Sequence, residues 1–425
     1  MTTREHFYDL PIPRFQLLKG NCLETLKQIP DNSIDSVVCD PPYHLQSIVK
    51  RFSSPTAAES QFGTDGAYRR MSKGFMGQSW DGGQIAFETA VWLECYRVLK
   101  PGGHLIAFGG TRTIHRITCA IEDSGFDIRD QICWMQFQGF PKSLNISISM
   151  DKQAGLMGPR GIGVKHMSGQ EHLVKPLSQR DGQPSHKPLS PEAQKWQGWG
   201  TALKPSYEPA ILARKPISEA NIAQNVLKWG TGGINVDACR FAYGDPCWLG
   251  DTSKKEPTEK KEYIPNNKNA VYGVGMGGGE HTVHQLGRWP ANIYQCPKPP
   301  RSQKEAGLEH LESTPGHQAV GREPDTAGLN NPRAGAGRTA DEIKNIHPTV
   351  KPIKLMRWLV RLVTPPGGTV LDPFLGSGTT AAAAIQEGFD VVGCELTEKY
   401  WPIIEGRTEH AIKQWKQAHS QVTLF

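Results

Sequence analysis

No stretch constrains the fold of this 425-residue chain more than Thr369 to Glu395. Thr369-Val370-Leu371-Asp372 is an apolar run ending in an acid, the pattern of a short buried strand. Pro373-Phe374-Leu375-Gly376-Ser377-Gly378 interrupts it, an alanine-rich segment from Thr379 to Gln386 reads as a helix, and Asp390 to Cys394 reads as a second strand closed by Glu395. Strand, glycine loop, helix, strand, acid is the plan of a nucleotide-binding βαβ unit. Gly376 and Gly378 allow close approach of a ligand to the backbone, and the helix start offers free N–H groups to an anion. Glu395 falls about twenty residues beyond the loop, at a strand tip, where a carboxylate can grip both hydroxyls of a ribose. The third glycine of a dinucleotide fingerprint is absent, because Ala381 stands in its place. Phe374 at the loop mouth also suits a compact apolar cofactor better than a pyrophosphate.

A second strand end carries different chemistry. Ile34 to Cys39 is apolar apart from Asp35 and Ser36 and stops at Asp40-Pro41-Pro42-Tyr43. Two prolines cannot donate to a sheet ladder and force the chain out of the strand. In an open α/β sheet such an end faces the ligand crevice. There Asp40 can accept a hydrogen bond, Pro41-Pro42 aims backbone carbonyls, and Tyr43 offers a face for stacking. The plainer alternative is a proline turn with a capping Asp and a packed Tyr.

The remaining periodicity predicts a layered sheet with crossover helices. Leu17 to Cys22 is read as a strand ending in a glycine turn, with Asn21 at a loop-to-helix junction that a helix cap explains as well as a ligand contact does. A helix from Ile85 ends at Lys100-Pro101-Gly102-Gly103, and strand His104–Phe108 follows it. Another helix, Thr113 to Asp123, precedes a strand from Ile128 to Phe137, and Tyr207 to Ala213 reads as a further strand. His347-Pro348-Thr349-Val350-Lys351-Pro352 opens a helix whose Leu355, Met356, Leu359, Leu362 and Val363 share a face.

Between these elements the pattern fails in three places. His44 to Asp81 is a long loop with Lys50, Arg51, Arg69, Arg70 and Lys73, suited to phosphates or simply to solvent. Residues 139–215 hold eleven Lys/Arg against five Asp/Glu, an excess equal to the net charge of +6 for the whole chain. With Trp196 and Trp199, that basic insertion (139–204) suits a loop covering nucleic acid, or a charged lid. Residues 217–340 read as an irregular, loop-built module outside the sheet, with a glycine cluster at 273–279 and a charged run at 254–261.

Totals exclude several classes. Hydrophobic content is 37%, no apolar run could span a bilayer, and the first residues lack a signal-peptide core, which together predict a cytoplasmic protein. Nine scattered cysteines form no Cys-x-x-Cys pair and no His-Glu-x-x-His occurs, so neither a metal site nor a disulfide framework is expected.

Taken together, Asp40-Pro41-Pro42-Tyr43 and Asp372-Pro373-Phe374-Leu375-Gly376-Ser377-Gly378 resemble the two signature motifs of amino-group DNA methyltransferases (N6-adenine or N4-cytosine). The catalytic motif precedes the cofactor motif with a long variable region between, an order similar to the β class. The resemblance implies a Rossmann-like α/β sheet that uses S-adenosylmethionine and carries an inserted target-recognition module. It implies a catalytic half over 1–216, target recognition over 217–340 and a cofactor-binding half over 341–425. It also implies that Asn21 and Cys22 border the cofactor adenine and that the segment containing His347, Thr349 and Lys351 closes over the methionine end. Asp40, Asp372, Phe374, Gly376, Gly378, Thr379 and Glu395 would complete the cofactor pocket, and Asp40, Pro41, Pro42 and Tyr43 the catalytic motif. The implied partner is double-stranded DNA; a homodimer and a cognate restriction nuclease are left open.

Asp rather than Ser at the head of the motif favours adenine N6 over cytosine N4. An RNA or protein amine methyltransferase is the rival from another substrate class, and a nicotinamide oxidoreductase the rival from another reaction class. A cytosine-C5 enzyme would need a cysteine nucleophile after a proline, whereas Cys39 lies inside a strand.

Overall fold

The computed structural model describes residues 11–43, 84–138, 143–156, 188–242, 244–247, 287–319 and 342–420. The loop read at 44–81, the middle of the basic insertion, the charged run at 254–261 and the glycine cluster at 273–279 lie outside them. The chain divides into two compact units, one reaching to Gln136 and resuming at Tyr207, the other Phe137–Ser206.

Eight strands form the sheet of the larger unit: β1 (Phe15–Lys19), β2 (Ile34–Cys39), β3 (Leu99–Phe108), β4 (Asp127–Met135), β5 (Tyr207–Arg214), β6 (Ile293–Gln295), β7 (Thr369–Asp372) and β8 (Asp390–Glu395). Their spatial order is β1-β8-β7-β2-β3-β5-β4-β6. From β1 to β3 all neighbours run parallel; β5 is antiparallel to both β3 and β4, and β6 is parallel to β4. The helices, in chain order, are α1 (Cys22–Thr25), α2 (Thr89–Val98), α3 (Ile114–Asp123), α4 (Ile146–Gln153), α5 (Pro191–Lys195), α6 (Ile222–Trp229), α7 (Arg301–Glu305), α8 (Gly316–Ala319), α9 (Ile353–Val363), α10 (Thr379–Gln386) and α11 (Trp401–Ser420). Among the described residues no helix is long and apolar enough to cross a membrane.

Period-two alternation explains why the sheet is covered on both faces. Val37 and Cys39 of β2, with Leu105 and Ala107 of β3, enter one core with Trp92, Cys95, Ile117 and Ile121 from α2 and α3. Val38, Ile106 and Phe108, the residues between, enter the other core with Leu355, Leu359, Ala381, Ala384 and Ile404 from α9 to α11. The alanines of α10 suit a helix buried almost all round, because small side chains let α9 and α11 approach closely. Glu387, just past α10, accepts from Arg357 Nε at 2.6 Å and from Arg361 Nε and Nη2 at 2.6 Å each, joining α9 to α10.

Two sequence expectations are corrected. Strand β3 begins at Leu99, not His104, and runs through Pro101-Gly102-Gly103. Those residues read as a terminator, yet Gly102 N–H donates to the Lys215 carbonyl and Lys215 N–H to the Gly103 carbonyl, so the backbone stays paired. Residues 217–340 also supply a strand: β6 extends the sheet through Cys133↔Ile293, Trp134↔Tyr294 and Met135↔Gln295. Three residues are too few for alternation to register in a sequence.

In the smaller unit, Asn145 caps α4 by accepting from Ile148 N–H at 3.2 Å. The fully buried Asp151 accepts from Leu189 N–H, Ser190 N–H and Ser190 Oγ at 2.8 to 3.0 Å, tying α4 to α5. Trp196 and Trp199 meet edge to face, 5.1 Å between ring centroids.

Candidate active site

Parallel strands bring their C-terminal ends to one edge, and the chemistry collects there. From β7 the chain winds outward through α10 to β8, while β2 leads the other way to β3, so the switch point of the sheet lies between β7 and β2. The register Ser36↔Val370 and Val37↔Leu371 sets Asp40 and the Asp372 loop on adjacent strand ends, although 332 residues separate them in sequence. The charge of Asp40 is one of the influences that raise the Asp372 carboxyl, after burial, the largest of them; that carboxyl stands at about 7.

On the cofactor side, Gly376 and Gly378 both adopt left-handed backbone, φ +58° and +75°, which favours glycine. Glu395 accepts from Gly376 N–H at 2.8 Å through one carboxylate oxygen and from Thr397 N–H at 2.7 Å through the other. Asp372 accepts from Phe374 N–H at 2.9 Å, fixing the turn, and the half-buried Phe374 ring lies 6.2 Å from Trp92. Asn21 caps α1 by accepting from Leu23 N–H at 3.0 Å, and the Gly20 N–H before it donates to the Glu395 carbonyl. Cys22 is buried, and burial pushes its thiol up to about 11. Thr379 opens α10, and its hydroxyl shares the buried Arg407 guanidinium with Ser377 at 3.0 Å. Arg407, invisible to motif reading because it lies in α11, thus braces the glycine loop from below.

The segment from His347 to Lys351 spans the two halves. A side-chain carbon on Gly376 would lie 2.8 Å from His347 Nε2, so the imidazole sits directly on the loop. His347 Nδ1 contacts the Thr349 carbonyl at 2.6 Å and the ring packs edge-on to Tyr400, with burial lowering its pKa to about 3, so the ring is neutral near pH 7. Four residues on, Lys351 reaches the other half: its Nζ lies 2.5 Å from Asp40 Oδ2, 3.0 Å from the Tyr43 hydroxyl and 3.4 Å from Glu208.

Sequence reasoning missed Glu208. Because β5 runs antiparallel to β3, with Phe108 opposite Ala210, the N-terminal end of β5 reaches the same edge as the end of β2. There Tyr43 donates its hydroxyl to Glu208 at 3.1 Å. Thr113 Oγ1 donates to the Tyr43 carbonyl at 3.0 Å and holds the turn. The signal for Glu208 was a polar residue at the mouth of an apolar strand, which many strands share.

The electrostatics follow from burial. Burial raises the Asp40 carboxyl, and the charge and hydrogen bond of Lys351 oppose it without cancelling it. For Lys351 burial works against the ammonium, yet Asp40 and Glu208 outweigh it and leave its pKa raised. Tyr43 stays a neutral phenol, its pKa driven well up by burial and by the two carboxylates. Asp40 Oδ1 is buried and without a hydrogen-bond partner among the described residues. Such an atom costs about 1–3 kcal/mol unless a ligand satisfies it. An open acceptor beside a phenol ring can receive an N–H of a flat base. A bare glycine loop bounded by Phe374 and Glu395 suits a cofactor with an apolar ring and a diol.

The family model for N6/N4 DNA methylases matches residues 34–406. The type II methyltransferase M.HindIII of Haemophilus influenzae is 22% identical over 395 residues, covering 90% of this chain and 91% of that protein. M.HinfI, from the same organism, is 30% identical over 126 residues, 29% of this chain and 32% of that one. Among solved structures, the cytosine-N4-specific PvuII DNA methyltransferase aligns with 96% of this chain and 95% of its own at 12% identity and a TM-score of 0.41. The M1.HpyAVI–S-adenosylmethionine complex aligns with 92% and 98% at 13% identity and a TM-score of 0.38. With most of its length inside the family model, the chain belongs to the N6/N4 DNA methylases, enzymes that transfer a methyl group from S-adenosylmethionine to an exocyclic amine of DNA.

Proposed function

We propose that the amine is N6 of adenine in double-stranded DNA, flipped out of the helix, with Asp40 and the Pro41 carbonyl holding its two N–H groups. The observation that carries this reading is Asp40 Oδ1, buried and without a hydrogen-bond partner among the described residues, at the strand end beside the glycine loop. Asp rather than Ser at the head of the motif favours adenine; cytosine N4 is the second reading.

Bound S-adenosylmethionine supplies an electrophilic methyl on a sulfonium. Gly376, Phe374, Asp372, Thr379 and Glu395 would hold it with Asn21 and Cys22 near its adenine, and His347 and Thr349 would cover it. The target amine is a weak nucleophile because its lone pair is delocalised into the base. Two acceptors on its N–H groups favour a pyramidal nitrogen with the lone pair aimed at the methyl. As the N–C bond would form and the methyl–sulfur bond would break, leaving a neutral thioether, nitrogen would gain positive charge and Asp40 become a stronger partner; its raised pKa then suits it to take the released proton. Tyr43 offers a face against the extruded base, offsetting part of the few kcal/mol that extrusion costs. Choice of DNA sequence is assigned to residues 217–340, between a catalytic half (1–216) and a cofactor half (341–425), with the enzyme acting in the cytoplasm.

The test needs no knowledge of the recognised sequence. Total DNA from a host without its own amine methylation, expressing the protein, is digested to nucleosides and analysed by mass spectrometry. N6-methyladenine is expected, and Asp40→Asn should lower its rate of formation by about 10²- to 10³-fold, the usual loss of a transition-state partner. N4-methylcytosine alone would replace the adenine reading. Full activity of the Asn variant would remove Asp40 from the mechanism.

A further inference from the structure

Resting on the amine-methylation reading above, we infer that Glu208 and Lys351 are positioning residues that set the direction and charge of Asp40, forming with Tyr43 one half-buried carboxylate–ammonium–phenol–carboxylate group. Lys351 is 6% exposed and lies over the rings of Phe108 at 4.8 Å, Tyr43 at 5.2 Å and Trp134 at 6.0 Å, an apolar box in which, among the described residues, its ammonium reaches only oxygen partners. A buried lysine with so little access to water needs a reason to be charged, and the two carboxylates provide it.

The geometry gives each member a task. Lys351 engages Oδ2 of Asp40 and leaves Oδ1 as the open acceptor, which fixes the carboxylate plane and makes one oxygen the seat of the amine N–H. Glu208 draws Lys351 at 3.4 Å and Tyr43 at 3.1 Å, so the phenol is held both by its hydroxyl and, through Thr113, by its backbone. Counting charges, Asp40 and Glu208 contribute −2 and Lys351 +1, a net −1 facing a nitrogen that becomes positive as the methyl arrives. Without Glu208 the sum would be zero, and Lys351 would cancel the carboxylate meant to stabilise the transition state. Without Lys351 two half-buried carboxylates would share one site, and one would take up a proton more readily.

Opposite substitutions should therefore shift the pH dependence in opposite directions. The groups facing Asp40 are Lys351 from the segment before α9, Tyr43 from its own turn, Glu208 from β5 and Asp372 from the end of β7, with neutral Cys39 beside it in β2. The experiment is single-turnover methyl transfer to DNA from labelled cofactor between pH 5 and 9, with calorimetric binding of S-adenosylmethionine in parallel. Lys351→Met should move the acid limb of the rate profile to higher pH by roughly one unit or more. Glu208→Gln should move that limb to lower pH, because a repelling carboxylate is gone, while the plateau rate falls by about 10- to 100-fold. Cofactor affinity should stay within about threefold of wild type in Glu208→Gln. A purely structural role for Glu208 would lower the rate without moving the limb. Glu208→Gln is isosteric and carries the test alone if Lys351→Met does not fold. Wild-type transfer combined with an unmoved limb in Glu208→Gln would overturn the inference and leave the methylation reading standing; a wild type that binds cofactor but modifies no amine would overturn both.

Discussion

Gly376→Ala separates two costs that usually arrive together. The residue adopts φ +58°, so any side chain there carries the left-handed penalty, about 1–2 kcal/mol. Its new Cβ would also lie 3.2 Å from His347 Cε1 and 2.8 Å from Nε2, the latter closer than such atoms approach. The imidazole cannot yield freely, since it is held by the Thr349 carbonyl at 2.6 Å and by Tyr400. Displacing it adds a lost hydrogen bond of about 1 kcal/mol, for a total of about 2–3 kcal/mol. Gly367 provides the control: it too is left-handed, φ +70°, but nothing lies within 4 Å of a Cβ placed there. Urea unfolding should therefore show Gly367→Ala losing about 1–2 kcal/mol and Gly376→Ala at least 1 kcal/mol more. Calorimetry should show S-adenosylmethionine affinity unchanged in the first and about 10- to 100-fold weaker in the second, equivalent to about 1.4–2.8 kcal/mol. Equal stability losses together with wild-type cofactor affinity in Gly376→Ala would refute the claim that His347 packs on the loop and shapes the pocket.

Two further outcomes concern stability. His104 is buried in β3 and held neutral, burial lowering its pKa to about 4 with Arg214 and Arg129 contributing. A lowered base makes the unfolded chain the better proton acceptor below pH 6.5, so its contribution is lost as pH falls from there toward 4, by about 2 kcal/mol at pH 5. The Asp372 carboxyl, raised to about 7, acts in the opposite sense and contributes most at low pH, so the measurement is the difference between wild type and His104→Gln in urea at pH 7 and pH 5. A difference independent of pH would contradict the neutral-histidine assignment. Glu387→Ala should cost about 1–3 kcal/mol, less than for a fully buried pair because Arg357 and Arg361 are 40% and 31% exposed. Burial disfavours the Glu387 charge, but the two arginines win and hold its carboxyl below the ordinary range, so this clamp weakens as pH falls through that lowered pKa. Urea midpoints for Glu387→Ala that match wild type would show that the clamp between α9 and α10 contributes nothing.

The parts of the fold legible in the sequence were those where one local pattern suffices. Ile34–Cys39, Thr369–Asp372 and Asp390–Glu395 each pair a short apolar run with a sharp stop, and each is a strand with those bounds. Their neighbours were less plain where tertiary pairing overrode local chemistry. Pro101-Gly102-Gly103 has the composition of a turn, but partners on Lys215 keep it in the strand, and β6 is too short to announce itself. Asn21 could be read two ways, and its side chain does cap α1.

What local patterns could not show, and the resemblance alone implied, was the approach of distant pieces, and in this sheet that is where the candidate site is made. Winding outward from β7 and from β2 in opposite directions leaves adjacent strand ends whose residues are far apart in the chain, so Asp40 and Asp372 meet by register alone. Glu208 arrives by the opposite route, at the start of an antiparallel strand, and carries no spacing that could tie it to Asp40. Lys351 was legible as part of a motif that the resemblance set over the methionine end of the cofactor; its ammonium reaches Asp40, Tyr43 and Glu208 instead of pointing away from them. Two of these residues break local rules: Lys351 sits among aromatic rings, and Asp40, at the end of a buried strand, keeps a carboxylate oxygen with no donor among the described residues. Local rules are broken where a chain gives up stability for chemistry. Two such residues within hydrogen-bond reach of each other mark the candidate site more sharply than either signature motif does alone.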